Sequence, residues 1–326
     1  MKIIVVGLGS MGKRRIRLIK RINSEAVVIG VDRREDRREE VKALYGVDTF
    51  LSIEEALGVH RDVICALVCT APLSHNVVIN ECLRNGLHVF TEINLVSDGY
   101  KANMDLAEKK GLKLFLSSTF LYREEIRYID KEVKKNKNKV NYIYHIGQYL
   151  PDWHPWESYK DFFVSNKRTN GCREIMAIEL PWIIEVFGEI IDCKVVSNNI
   201  SDLQIDYSDN YIIQTIHNNG NKGVLIVDIV NPRAGREFVV YGEHFNIRWN
   251  GTPQSLTKYQ KGEDVNIKLY DIIDKIENYS SFVIENAYES ELEEFFEVIN
   301  TSKKQRYGFE KDLKVLQLID EIEGIR

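Results

Sequence analysis

Short apolar runs alternate with amphipathic stretches through the first third of the chain. KIIVVG (2–7), AVVIGVD (26–32), VICALVCTA (63–71), LHVFTEI (87–93) and LKLFLSS (112–118) have the β-branched and aromatic density of buried strands. Between them lie KRRIRLIKRI (13–22), REDRREEVKALYG (34–46), a short SIEEALG (52–58), NVVINECLRNG (76–86) and GYKANMDLAEKKG (99–111). These have helical spacing, and several stop at a glycine. Near-continuous strands separated by helices predict parallel pairing with crossover connections, a doubly wound sheet ending near Ser118.

Beyond a further helical stretch, LYREEIRYIDKEVKKN (121–136), and a polar basic turn KNKNK (135–139), the pattern changes. VNYIYHIGQYL (140–150), DNYIIQTIH (209–217), GVLIVDIV (223–230) and REFVVYGEHFNIRWNG (236–251) follow one another with Asn- and Gly-rich turns. They predict a largely antiparallel sheet. Two amphipathic helices close the chain, with stripes Leu292, Phe295, Phe296, Ile299 and Leu313, Leu316, Ile319, Ile322. The expected architecture is α/β: a doubly wound parallel sheet over 1–118, then an α+β domain over 119–326 with a mainly antiparallel sheet.

A length of 326 residues fits two cores, and a net charge of −5 with 29% charged residues argues against a nucleic-acid partner. The five cysteines form no CxxC pair and sit in or beside apolar runs, so they read as reduced thiols of a cytoplasmic protein, with no metal site. The opening apolar run is too short for a signal peptide and passes straight into glycines, and no segment reaches membrane-spanning length. The six bases of KRRIRLIKR read as a solvated helix face, because the charge-balanced REDRREE that follows does not extend the patch.

The chemistry begins at GLGSMG. Gly7 allows a tight turn after the first strand, Gly9 lets the backbone approach a pyrophosphate, and Gly12 lets the helix pack closely on the strand. The amides of Ser10 and Met11 would meet the phosphates, helped by the helix dipole. Asp32, 20 residues past Gly12 at the end of the second strand, is placed to take ribose hydroxyls. A carboxylate there favours NAD, while Arg33 and Arg34 keep NADP open as the alternative.

VCTAPLSHNVVINECLRNGLHVFTE (68–92), together with that fingerprint and YESELEEFFEVI (288–299), resembles the glucose–fructose oxidoreductase, inositol dehydrogenase and MocA (Gfo/Idh/MocA) family. The resemblance implies a Rossmann domain followed by a domain with an open antiparallel sheet. It also implies NAD(P)-dependent redox chemistry at a sugar, sugar-nucleotide or cyclitol carbon. It puts Thr70, Ala71 and Pro72 along the nicotinamide side, His75 behind them, and Glu92 near the nicotinamide ribose, with Asn94 beside the cofactor. Where the family carries a catalytic lysine and a proline after that glutamate, this chain has Ile93 and Asn94. Aliphatic Ile93 can neither donate a hydrogen bond nor stabilise an alkoxide. The family's Asp, His and Asp on one helix face fall on Glu174, Ile178 and Pro181, so only Glu174 can titrate, and Pro181 should kink the helix.

The aromatic-rich segment QYLPDWHPWESYKDFFVSNKRTNGCRE (148–174) is where a substrate-covering loop belongs. Within it His154 is the candidate general acid/base, with Glu174 as its partner, and Lys167 and Arg168 are candidate anchors for an anionic substrate. The resulting expectation is an oxidoreductase with an atypical site, working on a carbohydrate-like small molecule as a homodimer or homotetramer. The rivals are an NAD-binding sensor or scaffold without net redox, and a lyase or hydrolase with transient redox on retained NAD.

Overall fold

The computed structural model describes residues 1–154, 157–273 and 284–325. The chain forms two compact units: Met1–Ser118 with Tyr288–Leu316, and Thr119–Ala287 with Gln317–Arg326. The second segment of the first unit was not foreseen. Sequence order assigned everything after residue 118 to the second domain, but the residues from Tyr288 to Leu316 pack with the first.

In the first unit a six-stranded parallel sheet is built from β1 (Lys2–Val6), β2 (Val27–Val31), β3 (Asp48–Phe50), β4 (Val63–Val68), β5 (His88–Thr91) and β6 (Leu114–Leu116), in the order β3-β2-β1-β4-β5-β6. The crossover helices are α1 (Ser10–Ile22), α2 (Glu35–Tyr45), α3 (Ile53–Val59), α4 (His75–Arg84) and α5 (Tyr100–Lys110). The order reverses between β1 and β4, so their carboxyl ends, at Gly7 and Cys69, open the crevice where such sheets take ligands. Phe295, on the helix α8 (Glu285–Asn300), edges onto the stacked rings of Phe90 and Phe115 at 5.5 and 5.6 Å. Three aromatic rings at that spacing explain why this late segment returns to the first sheet.

The helix α1 corrects the sequence reading. Arg14 and Arg15 are buried, at 4% and 0% exposure, and not part of a solvated face. Gly12, Arg15 and Ile19 recur at helical spacing on the buried side, so Arg15 sits in a hydrophobic stripe.

The second unit opens with α6 (Glu124–Lys135) and carries an eight-stranded sheet. Its strands are β7 (Asn141–Gly147), β8 (Ile190–Asn198), β9 (Asn210–His217), β10 (Lys222–Asp228), β11 (Gly235–Gly242), β12 (Phe245–Trp249), β13 (Thr257–Gln260) and β14 (Glu263–Asn266). The order is β14-β13-β12-β11-β7-β10-β9-β8, antiparallel except where β10 runs parallel to β7. That parallel pair arises because α7 (Gly171–Phe187), β8 and β9 intervene between its strands. The edge strands β8 and β14, and β13 beside β14, escaped the sequence reading because they are mostly exposed and lack clear alternation.

One face of this sheet is sealed by α7 through Tyr142, Tyr144, Phe187, Trp182 and Phe238. α7 runs on through Pro181 as one element, and buried Glu179 on it accepts from Tyr144 Oη (2.8 Å), Trp182 Nε1 (2.6 Å) and Arg236 Nε (2.9 Å). Tyr144 and Arg236 pin the helix to β7 and β11, while Trp182 donates from α7 itself. Among the described residues of this unit, none covers the opposite face. Ile143, Ile212, Ile216 and Tyr241 are exposed there, with Val224, Ile226 and Val239 half-buried between them. The chain closes with α9 (Phe309–Ile322).

Candidate functional site

The glycine loop has the form a dinucleotide requires. Gly7 adopts φ +92°, and a Cβ on it would lie 2.6 Å from the Cys69 carbonyl oxygen, so the loop packs against the end of β4. A Cβ on Gly12 would stand 1.9 Å from the Gly7 carbonyl oxygen, which only glycine avoids. α1 starts from Gly9 with no side-chain cap and no acid in its first turn. Its leading amides therefore lack a built-in acceptor charge, the condition in which a helix end receives a phosphate group. Asp32 is fixed rather than dangling: Oδ2 accepts from Leu8 N at 2.7 Å and Oδ1 from Arg34 N at 2.9 Å. Arg34 is turned toward Asp36 (3.1 Å from Nε), and Arg33 is exposed.

The loop after β4 is clamped from behind by His75, which is 2% exposed. Its Nε2 lies 2.8 Å from the Thr70 carbonyl oxygen and its Nδ1 2.7 Å from Asn94 Oδ1. Burial lowers the His75 pKa, so the ring is neutral. A neutral ring carries one N–H, so it donates to one of these two acceptors and not to both. Ser74 Oγ adds bonds to Thr70 Oγ1 (2.9 Å) and the Ala71 carbonyl (2.7 Å), ahead of the tight turn Pro72–Ser74. Thr70, Ala71 and Pro72 are thus held in one conformation, and Asn94 serves the clamp from a buried position.

Glu92 is committed differently from the expectation. Arg15 grips it with Nε to Oε1 at 2.6 Å and Nη2 to Oε2 at 3.2 Å, and its side chain is only 12% exposed. The same guanidinium reaches Glu291 Oε2 (2.8 Å) and Ser117 Oγ (3.3 Å), and Ser118 N donates to Glu291 Oε1 at 2.6 Å. Sequence reasoning missed Arg15 and Glu291. The signal lay in Arg15 occupying a buried-side position of α1.

In the second unit, Glu174 stands in the first turn of α7 after the Asn170 cap, whose side chain accepts from Arg173 N. Its Oε2 is shut from solvent and has no hydrogen-bond partner among the described residues, and burial pushes its pKa up to about 7. Such a carboxyl can hold or release a proton near neutrality. His154 does not pair with it. The His154 ring bonds Glu157 Oε1 through Nδ1 at 2.7 Å and stacks on Phe162 at 4.3 Å. Lys167 and Arg168 are exposed on a short turn, Lys167–Thr169. The flanking Pro155 and Trp156 lie outside the described residues. Ile93 and Ile178 are half-buried hydrocarbon.

A glycine cradle, an uncapped helix end and an oriented acid on a doubly wound sheet are the features of a dinucleotide-binding domain. Residues 1–118 match the family model described as GFO_IDH_MocA, "Oxidoreductase family, NAD-binding Rossmann fold". Among curated proteins, myo-inositol 2-dehydrogenase of Thermotoga maritima is 29% identical over 140 residues, 43% of this chain and 40% of that protein. Biliverdin reductase A of Mus musculus is 33% identical over 135 residues, 40% of this chain and 44% of that protein. The matched stretch thus spans less than half the length of these relatives. Over the full chain the fold is that of UDP-N-acetylglucosamine 3-dehydrogenase GnnA from Acidithiobacillus ferrooxidans. That likeness has a TM-score of 0.76 at 17% identity, covering 100% of this chain and 97% of that one. No helix among the described residues is long and apolar enough to cross a membrane.

Proposed function

We propose that the protein is an NAD(P)-dependent oxidoreductase acting on a CH–OH or C=O group of a carbohydrate-like small molecule. The observation that supports this most is the cradle of Gly7, Gly9 and Gly12 beside an Asp32 already oriented by two backbone amides. Bound there, a nicotinamide cofactor supplies hydride transfer. The chain's own residues do the rest. Gly9 and the first turn of α1 hold phosphate, Asp32 takes ribose hydroxyls, and His75 with Ser74 keeps the Thr70–Pro72 loop rigid. Glu174 is the proton-handling group in this reading, because its carboxyl is buried, has an unpartnered oxygen and titrates near 7. His154 is a weaker candidate, since it is engaged with Glu157. Relatives named as dehydrogenases of inositol and of a nucleotide sugar favour a polyol or sugar substrate. Exposed Lys167 and Arg168 suit an anionic group on it.

The uncovered sheet face supports a further element of the reading, a homodimer. Ile212, Ile226, Val224, Ile143 and Val239 lie on adjacent strands in register, and an apolar patch of that breadth favours a second copy packed face to face.

A rival reading, nucleotide binding without net redox, draws on Ile93 and Ile178 and on Glu92 being spent on Arg15. One experiment separates the two. Purified protein is titrated with NADH and NADPH, then assayed at the nicotinamide absorbance against sugars, nucleotide sugars and cyclitols. Turnover that falls about 10²–10⁴-fold in Glu174→Gln, with cofactor affinity retained, supports the proposal. Tight cofactor binding with no absorbance change on any substrate removes it and leaves the rival.

A further inference from the structure

The carboxyl ends of neighbouring strands set the order in which a dinucleotide meets the first unit. Asp32 follows β2, the glycine loop follows β1, residues 69–72 follow β4, and Glu92 follows β5. With the adenosine ribose on Asp32 and the phosphates on the loop, the nicotinamide half continues over the ends of β4 and β5. Glu92 is the acid at that end. Its Oε1 lies 3.9 Å from Cys69 Sγ, and Cys69 is the residue on which Gly7 packs. Burial and then the Glu92 charge push the Cys69 thiol well up, so the field of this carboxylate reaches the crevice.

The hydrogen bonds of Glu92 are taken up by Arg15, but its charge is not cancelled. Among the described residues its one cation is Arg15, with Nε on Oε1 at 2.6 Å and Nη2 on Oε2 at 3.2 Å. The same Nη2 is closer to Glu291 Oε2, at 2.8 Å. Burial pushes the Glu291 carboxyl up, yet N–H donors face both its oxygens: Ser118 N on Oε1 and Arg15 Nη2 on Oε2. That is the pattern of an ionised group. One guanidinium thus serves two carboxylates, and Glu92, the one at the crevice, keeps part of its charge where water screens it poorly.

We propose that Glu291 is a positioning residue which, by sharing Arg15, keeps charge on Glu92 and makes this site prefer the oxidised dinucleotide. The inference rests on the nucleotide reading above and extends it. The ring of NAD⁺ is a cationic pyridinium, and that of NADH is a neutral dihydropyridine. Residual negative charge beside the ring favours the first and not the second. Without the Glu291 charge, Arg15 would answer Glu92 alone and the bias would fall. Glu291 itself touches no ligand and acts through Arg15 and Glu92.

The test is equilibrium binding of NAD⁺, NADH and ADP-ribose to the full chain, read by calorimetry. ADP-ribose lacks the nicotinamide and reports the fold and the glycine cradle alone. Wild type is expected to bind NAD⁺ about tenfold more tightly than NADH, the order that a partly screened unit charge produces across a protein site. Glu291→Gln keeps the shape without the charge. It should shrink that ratio to within about twofold while ADP-ribose affinity holds. Glu291→Asp keeps the charge and should keep the preference. Wild type that binds NADH as tightly as NAD⁺, or more tightly, overturns the inference whether or not the variants fold. A Gln variant with an unchanged ratio also overturns it. So does equal weakening of all three ligands, or an Asp variant that loses the preference as fully as Gln, since Glu291 would then serve the fold alone. Wild type that binds none of the three, ADP-ribose included, removes the nucleotide reading itself.

Discussion

Arg15 Nε donates to Glu92 Oε1 at 2.6 Å although the Arg15 side chain is wholly withdrawn from water. With Glu291 on the same guanidinium, one buried cation holds two carboxylates, one at the end of β5 and one on α8. This pair fixes the position of Glu92 and ties the late segment Tyr288–Leu316 to the nucleotide unit.

Removing Arg15 should be costly for that reason. Arg15→Met leaves two buried carboxylates without their cation, and a loss of about 3–5 kcal/mol is expected. Urea unfolding of the variant beside wild type measures it. A change under about 1 kcal/mol would show that the network carries little of the stability.

The glycines of the cradle should separate folding from binding. A Cβ on Gly12 collides with the Gly7 carbonyl at 1.9 Å, so Gly12→Ala should lower both the thermal midpoint and dinucleotide affinity. A Cβ on Gly9 meets only the Arg37 side chain, at 3.5 Å. Gly9→Ala should keep the thermal midpoint within a few degrees while weakening NADH at least about tenfold, because the new methyl stands where phosphate approaches. Equal effects of the two substitutions on stability would contradict the cradle geometry.

Glu174 should leave a mark on the pH dependence of stability. Its carboxyl pKa is raised by burial from 4.5 to about 7. Between those values the folded chain keeps a proton that the unfolded chain has released, so stability falls as pH rises through this window. Below 4.5 the contribution is flat. The full loss by pH 7 and above is at most about 3 kcal/mol. Glu174→Gln should erase that slope and match or exceed wild type above pH 7, as read from urea midpoints across pH 4–8. A wild-type curve that rises through the window by the same amount as the variant's would refute the assignment.

His145 supplies a second titration, of opposite chemistry. On β7 its Nε2 donates to Asp228 Oδ2 at 2.6 Å, and that bond raises its pKa above 6.5 while lowering that of Asp228 despite burial. A raised cationic pKa stabilises fully below 6.5, and the gain is lost as pH climbs through the folded value. His145→Gln should flatten the alkaline side of the stability profile. Glu237, opposite His145 in register, adds to the same shift.

The uncovered sheet face gives the test of assembly. Ile143→Asp combined with Ile212→Asp puts charge on two exposed positions of adjacent register rows without touching the α7 side. Light scattering should show the double variant at half the wild-type mass, with its thermal midpoint independent of concentration. A wild type that is already monomeric would rule out the dimer.

The sequence by itself determined the layers and the phosphate cradle. Period-two and period-3.6 patterning is local, and a glycine required by a 1.9 Å approach is required wherever the loop forms, so both were legible in short windows. It also placed Asp32, whose separation from Gly12 is set by one strand–helix–strand unit. Only the tertiary structure decided which charges are spent. Arg15 meets Glu291 across 276 positions of chain, and although its spacing from Gly12 and Ile19 puts it on the buried side of α1, nothing local names the carboxylates it meets there. The same holds for the contact between Asn94 and His75, and for His154, held by Glu157 instead of Glu174. The destination of Tyr288–Leu316 was likewise undecidable from order along the chain, because Phe295 gains its partners only once β5 and β6 are paired. Burial and ion pairing are properties of neighbours in space, and a desolvated charge takes whichever opposite charge the fold delivers.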